Sequence, residues 1–367
     1  MSNEKQKKLF MIGAFPPPVH GMAAVNAAVR ELFKRAGVEP VVLDVAAESL
    51  NRSFAVRLGR LPKVTRGLMR LLFQHKIRDG SLYMSISGGF GQIYEILFLI
   101  VARFYRMRTY LHHHNFVYLD RPSFITRVLT TVAGSRSVHI TQSHGMKARL
   151  MKNYTSVRRT VPVSNVVFLT DSETRMHLPH TRLKTIGFIS NITEQKGIFE
   201  FLQLAAFCEA QGLGLEAKVA GPFQDVYTER RVRQRFGELS AVEYIGPVYG
   251  TDKACFFGTI DTLIFPSRSE ADPVTIYEAM QAAVPVIAYG RGCIPEVVSP
   301  ACGLVIDPAE SFLPASLNQL KRWMDNSRSY NEASRSAVER FTCVLKENLG
   351  RGQDLLREIT NGNSKIC

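Results

Sequence analysis

The second half of this sequence brings together groups suited to chemistry: paired carboxylates, an ammonium and a helix start. In PSRSEADPVTIYEAM, Glu270 and Glu278 are separated by seven residues. The pattern predicts Glu270 in the loop that ends strand DTLIFP and Glu278 about one and a half turns into the helix that follows. Asp272 is expected to cap that helix, with Pro273 as its first residue. The N–H groups from about Pro273 through Val274 and Thr275 to Ile276 then form an anion site, strengthened by the helix dipole. Upstream, SNITEQKGIFEFL sets Lys196 and Gly197 between a strand and a helix, where an ammonium neutralises phosphate as a point charge. Taken alone, a Lys-Gly pair is better read as the exposed start of an ordinary helix. Gly221 in VAGPF and Gly246 in VEYIGPV fall at strand ends, where backbone approaches a nucleobase closely. One carboxylate suits sugar hydroxyls, the other ribose hydroxyls, and the N–H groups a diphosphate.

The elements that must position these groups read as strands alternating with helices. LFMIGA, PVVLDV, SLYMSI, TYLHH, VHITQ and NVVFL are expected strands of the first half. Helices are expected over MAAVNAAVRELFKRAG and at about 61–78, 91–106, 122–134 and 144–152, with Gly37 at a helix end. The polar stretch 171–182 is the expected linker. The alternation restarts at TIGFIS and runs through GLVID, and the tail from about 310 to 360 is expected to be helix throughout. Alternation of this kind implies parallel sheets covered on both faces. The expected organisation is an N-terminal domain over 1–170 and a C-terminal domain over 183–345. The tail 346–367 is expected to pack back on the first domain. Ligands of such sheets sit in the cleft between them.

The chain has 367 residues and a net charge of +14. Residues 1–170 hold 25 Lys and Arg against 8 Asp and Glu, whereas residues 171–367 hold 21 against 24. The first half is therefore expected to meet an anionic surface or substrate. The apolar run ILFLIVA, between Glu95 and Arg103, is too short to span a bilayer, and the charged start MSNEKQKKLF is unlike a secretory signal. A cytoplasmic protein, peripheral on the inner face of the plasma membrane, is the expectation. The six Cys include no C-x-x-C pair, which argues against a disulfide framework or a zinc site.

Within the first half, FPPPVHGMA places His20, Gly21 and Met22 after a rigid Pro loop at the start of the first helix, a plain strand-to-helix turn on its residues alone. LHHHNF holds three consecutive His, which on an extended chain point alternately apart and make a poor metal site. Segment 52–78 holds eight Lys and Arg and no acid. Leu61, Val64, Leu68, Leu71 and Leu72 fall within an arc of about 100°, with Lys63, Arg66 and Arg70 opposite. At about 1 kcal/mol per cation, four contacts with an anionic bilayer contribute about 4 kcal/mol, enough for reversible docking. The commoner alternative is a core-packed helix with a solvated basic face.

The ordered set S-N-x(4)-K-G, VAG, YIGPV, SEADPVTIYEAM and PVIAYGRGCIPEVV followed by GLVIDP resembles the family 4 glycosyltransferases (glycosyl transferase group 1) of the bacterial cell-surface polysaccharide type. The resemblance is strong over roughly 184–310 and looser over 8–45 and 108–170. It implies the GT-B fold, an α/β architecture of two Rossmann-like doubly wound parallel-sheet domains facing a central cleft. It also implies that Glu270 faces the donor sugar, Glu278 holds the ribose, Lys196 binds the diphosphate and Val248 neighbours the base. His112, with His114 second, would line the cleft near the transferred sugar, and His20, Gly21 and Met22 would form a phosphate or acceptor loop. Two positions depart from the family pattern: Asn191 stands where Arg is common, and Asp272 where an aromatic is common. The expected activity is retaining transfer of a hexose from a nucleotide-sugar donor to a lipid-linked glycan acceptor, with no metal or other cofactor. A nucleotide-sugar epimerase and an inert membrane-docked scaffold are the alternatives. Nucleic-acid binding is not expected, because no nucleic-acid motif accompanies the charge.

Overall fold

The computed structural model describes residues 8–47, 59–74, 80–169 and 180–361. The chain forms two compact units, Met1–Phe168 with Glu347–Cys367, and Leu169–Lys346. The first unit is built on β1 (Leu9–Gly13), β2 (Val41–Asp44), β3 (Ser81–Ile86), β4 (Arg108–His113), β5 (Val138–Thr141) and β6 (Arg159–Pro162). They form one sheet in the order β2-β1-β3-β4-β5-β6, with every pairing parallel. The connecting helices are α1 (Gly21–Arg35), α2 (Leu61–Leu72), α3 (Gly91–Phe104), α4 (Val117–Asp120), α5 (Phe124–Ala133) and α6 (His144–Asn153). Every residue of β1 and β3 is buried, as central parallel strands covered on both faces require.

The second unit has β7 (Thr185–Ile189), β8 (Glu216–Ala220), β9 (Val242–Gly246), β10 (Thr262–Phe265), β11 (Val286–Tyr289) and β12 (Gly303–Ile306). They lie in the order β12-β11-β10-β7-β8-β9, again all parallel. Around them run α7 (Ile198–Ala210), α8 (Val226–Glu238), α9 (Gly250–Phe257), α10 (Val274–Gln281), α11 (Ile294–Val297), α12 (Phe312–Asp325) and α13 (Ser327–Asn361). Phe188, Phe201, Phe312, Trp323 and Tyr330 anchor the core of this unit.

One sequence expectation is corrected and one refined. NVVFL is not a strand: Asn165–Phe168 is a 3₁₀ turn, started by Ser164, whose Oγ accepts the Val166 N–H at 3.2 Å. The edge position is filled by Arg159–Pro162, where a proline at the strand end is tolerated. The tail is helical as expected, interrupted only at Asn326. Asn326 closes α12 through its N–H to the Arg322 carbonyl, and its Oδ1 accepts the Ser329 N–H at 3.0 Å to open α13. Of the 52–78 segment, residues 52–58 and 75–78 lie outside the described residues, as do 171–179 of the expected linker.

The last turns of α13 are fastened to the first sheet by a two-pronged ion pair. Arg159 Nη1 and Nη2 donate to Glu358 Oε1 and Oε2, each at 2.7 Å. The Glu358 side chain is 5% exposed, so removing the guanidinium would strand a carboxylate away from water. Arg159→Ala is expected to lower the stability of the first unit by about 2 kcal/mol, and Arg159→Lys by less, because lysine keeps the charge but not the paired geometry. Chemical denaturation of the three proteins checks this.

Candidate active site

The turn after β7 is set by local chemistry. Thr193 Oγ1 accepts the Lys196 N–H at 3.2 Å and caps the short 3₁₀ turn Glu194–Lys196. Gly197 follows with φ +83°, and a Cβ there would lie 2.4 Å from the Pro266 carbonyl oxygen. Only glycine lets this turn enter α7 so close to the loop after β10. The Arg268 N–H donates to the Gln195 carbonyl at 3.0 Å and joins the same two loops. The result is that Lys196 Nζ lies 2.5 Å from Glu270 Oε1. The Glu270 side chain is 8% exposed and that of Lys196 is 32%. The acid is thus sheltered and held, while the ammonium keeps an open side and further donors for an anion.

The Glu270 loop is held from its other side by a residue given no role in the sequence reading. Gly292, at φ +59°, packs so closely that a Cβ would lie 2.2 Å from the Ala271 carbonyl oxygen. Next to it, the Cys293 N–H donates to that same oxygen at 2.7 Å. The signal in the sequence was the G-R-G step between β11 and α11, but which loop it would touch is a tertiary fact.

The start of α10 differs from expectation. Pro273 is the residue before the helix, with an extended ψ of 112°, and Val274 is the first helical residue. Asp272 is buried and turned inward, and its Oδ1 accepts the Tyr277 hydroxyl at 2.6 Å. It therefore braces the first turn from inside, and the N-cap position itself falls to Pro273. The Ile276 N–H already donates to the Pro273 carbonyl at 3.1 Å. The anion-facing groups of this helix reduce to the N–H groups of Val274 and Thr275, which have no intrahelical acceptor.

Glu278 carries a partner that the sequence reading missed. Lys253 of α9 places its Nζ 2.5 Å from Glu278 Oε2. Nothing in the spacing of Lys253 marks it, because α9 and α10 are brought together only by the sheet order. Gly221 and Gly246 are joined: the Gly221 N–H donates to the Gly246 carbonyl at 2.8 Å. Val248 follows two residues on and is half-buried. Asn191 lies in the loop after β7, where the Ser190 hydroxyl donates to its carbonyl at 3.2 Å.

In the first unit, His20 is the N-cap of α1, and its Nδ1 accepts the Ala23 N–H at 3.4 Å. Gly21 and Met22 form the first turn of that helix. The three consecutive His separate as an extended strand demands. His113 is enclosed by the Tyr118 hydroxyl at 2.7 Å and His139 Nδ1 at 2.9 Å. His112 and His114 lie together on the other side, ring centroids 4.0 Å apart. His112 Nδ1 meets the Tyr83 hydroxyl at 2.5 Å, and His114 Nδ1 meets Gln142 Nε2 at 3.1 Å. The Nε2 atoms of both are buried with no hydrogen-bond partner among the described residues, which leaves two polar atoms unsatisfied on these neighbouring rings.

Burial holds all of these imidazoles neutral. Burial and the neighbouring His114 and His113 put His112 well below the ordinary range. Burial and His20 push His114 down to about 3, and burial alone pushes His139 down to about 4. A depressed histidine binds fewer protons folded than unfolded, so its stabilising contribution is complete above about pH 6.5 and is lost as the pH falls toward the folded value. At pH 5 the His139 contribution amounts to a loss of about 2 kcal/mol. The melting temperature of the first unit is expected to fall between pH 7.5 and pH 5, and to fall less in His139→Gln. Calorimetric scans of both proteins at the two pH values check it, the comparison cancelling the other titrating groups.

The two doubly wound units define the GT-B fold, and solved structures agree. Sucrose-phosphate synthase from Thermosynechococcus elongatus superposes with a TM-score of 0.72 at 15% identity, over 98% of this chain and 100% of that one. Anabaena HepE in complex with UDP-glucose gives 0.68 at 17% identity, over 95% and 99%. Residues 171–340 match the family described as glycosyl transferases group 1. Over that segment, a little under half of the chain, the sequence is similar to the family that its motifs resemble. A curated relative, GDP-mannose-dependent alpha-mannosyltransferase of Mycolicibacterium smegmatis, is 28% identical over 156 residues, a match that spans 42% of this chain and 38% of that relative.

Proposed function

We propose that the protein is a retaining glycosyltransferase that moves a hexosyl group from a nucleotide-sugar donor to a lipid-linked glycan acceptor at a membrane surface, in cell-surface polysaccharide synthesis. The observation that carries this reading is the Lys196–Glu270 contact, 2.5 Å long and made beside the first turn of α10. In this reading Glu270 accepts hydroxyls of the donor sugar. Lys196 and the Val274 and Thr275 N–H groups take the charge that develops on the leaving diphosphate. Glu278, oriented by Lys253, accepts the ribose hydroxyls. A Glu270 already held by an ammonium is a weak covalent nucleophile. Retention is accordingly assigned to a front-face route, in which the departing phosphate takes the proton of the incoming hydroxyl. His112 addresses the transferred sugar as a neutral imidazole through Nε2. The relatives, a mannosyltransferase that depends on GDP-mannose and a HepE solved with UDP-glucose, support the donor class.

Glu270→Ala is expected to fold normally and to lower transfer by about two orders of magnitude, the usual loss on removing one transition-state contact. Transfer by the unaltered protein is expected to persist in EDTA, since Lys196 and backbone N–H groups take the part that a divalent cation plays elsewhere. Radiolabelled-donor assays with and without acceptor check both. Near-normal transfer by a folded Glu270→Ala protein removes Glu270 from this role, and donor conversion without acceptor identifies an epimerase.

A further inference from the structure

Helix α3 does not fit a water-facing layer. Its sequence, GQIYEILFLIVARF, is apolar all round, which in a soluble protein marks a helix enclosed on every side. It is not enclosed. The crossovers β2 to β3, β3 to β4 and β4 to β5 all step the same way along the sheet, so right-handed connections lay α2, α3 and α5 on one face of the first unit. The inner side of α3 is buried through Phe98, Leu99 and Ala102, and α2 packs beside it with Gly67 against the Phe98 ring. The outer side carries Ile93, Leu97, Ile100 and Phe104, at helical spacings that place all four on one stripe. All four are exposed, Phe104 by 76%. At about 1.5 Å per residue the stripe is about 16 Å long.

Neighbouring elements extend it. Phe90 at the start of α3 and Phe124 at the start of α5 are 67% and 77% exposed. At the far end, Phe73 and Met69 of the α2 region are exposed, and the Tyr105 hydroxyl donates to the Leu72 carbonyl at 2.8 Å, bringing the ends of α2 and α3 together. An apolar surface of this extent is a docking surface.

The charge around it selects the occupant. Residues 59–136 contain twelve Lys and Arg and three Asp and Glu. Of those acids Glu95, the acid of α3, points inward, its Oε1 accepting the Ser87 N–H at 2.8 Å, and Asp120 is paired with Arg149. Arg66, Arg70, Arg103, Arg106 and Arg127 are exposed along the flanks. Among the described residues no helix is long and apolar enough to cross a membrane. An apolar stripe rimmed by guanidinium groups matches the depth profile of a bilayer leaflet, with side chains below the headgroups and cations among the phosphates.

We propose that the outer face of α2, α3 and α5 seats the protein in the interfacial layer of an anionic bilayer, with Ile93, Leu97, Ile100 and Phe104 inserted among the upper acyl chains. This deepens the reading of a lipid-linked acceptor by naming the surface that brings the protein to it. It also relocates the membrane contact expected from 52–78. Lys63, assigned to the basic face of that segment, instead donates to the Ala46 carbonyl at 3.1 Å. The central contact moves to α3, whose apolar stripe the sequence reading noted only as too short to span.

The test is flotation of the full chain with phosphatidylglycerol–phosphatidylcholine vesicles and with phosphatidylcholine alone. The protein is expected to float with the anionic vesicles and to be recovered free from the neutral ones. Leu97→Ser/Ile100→Ser/Phe104→Ser alters exposed positions alone and is expected to keep its melting temperature while its vesicle partition falls by about tenfold or more. In a second arm, Phe104→Trp is expected to be quenched by brominated lipid, while Trp323, 3% exposed, is not. Failure to float, equal binding by the triple variant, or an unquenched Trp at 104 overturns the proposal. So does a stable dimer in sedimentation that the triple variant dissociates, because it assigns the face to a second copy of the chain. No sugar transfer enters the readout, so a failed docking surface and a failed enzyme reading are told apart.

Discussion

A lysine and a glutamate that lie 74 positions apart meet at 2.5 Å, and the local design of the second unit converges on that contact. It requires the turn after β7 and the loop after β10 to lie against each other. Gly197 makes room for the Pro266 carbonyl, the Arg268 N–H ties the two backbones, and Gly292 supports the Glu270 loop from behind. Each device acts on backbone, so the side chains inherit their positions from groups that cannot swing away. An unligated carboxylate with this little exposure would carry a desolvation penalty, and the ammonium offsets it. The same ammonium remains on the open side of the pair.

The second carboxylate follows the same logic, with Glu278 held by Lys253 at 2.5 Å. Two lysine–glutamate pairs cancel in charge, and the second half of the chain carries a slight negative balance. In the proposed reading, attraction of an anionic donor therefore falls to local features: the open side of Lys196 and the backbone N–H groups at the start of α10. Asn191 adds no charge where a second cation is common in the resembled family, which makes Lys196 the more decisive. In the first unit, burial keeps His112 and His114 neutral, so in the proposed reading they would meet a sugar by hydrogen bonding and not by charge.

Much of this was legible in the sequence because alternating strands and helices impose their own periods. The parallel sheets, eleven of the twelve strands and the Lys196–Glu270 pairing of motifs all follow from local pattern and family resemblance. What was not legible depends on competition between neighbours. NVVFL has the composition of a strand, but Ser164 diverts it into a turn and Arg159–Pro162 takes the edge. Asp272 has the position of a cap, but Tyr277 draws it inward. Lys253 and Gly292 act across the sheet order, which spacing along the chain does not encode. The stripe on α3 reads as core because composition reports apolarity, not which side the neighbouring helices leave uncovered.

In the proposed function Lys196, steadied by Glu270, binds the diphosphate of a nucleotide sugar. Isothermal titration of the full chain with a panel of UDP- and GDP-sugars, repeated on Lys196→Met, tests it most directly. The account predicts saturable one-to-one binding of at least one donor, weakened about tenfold or more by Lys196→Met, the loss expected for a charge-assisted contact with phosphate. Binding that is indifferent to Lys196→Met, or absent across the whole panel, would contradict it.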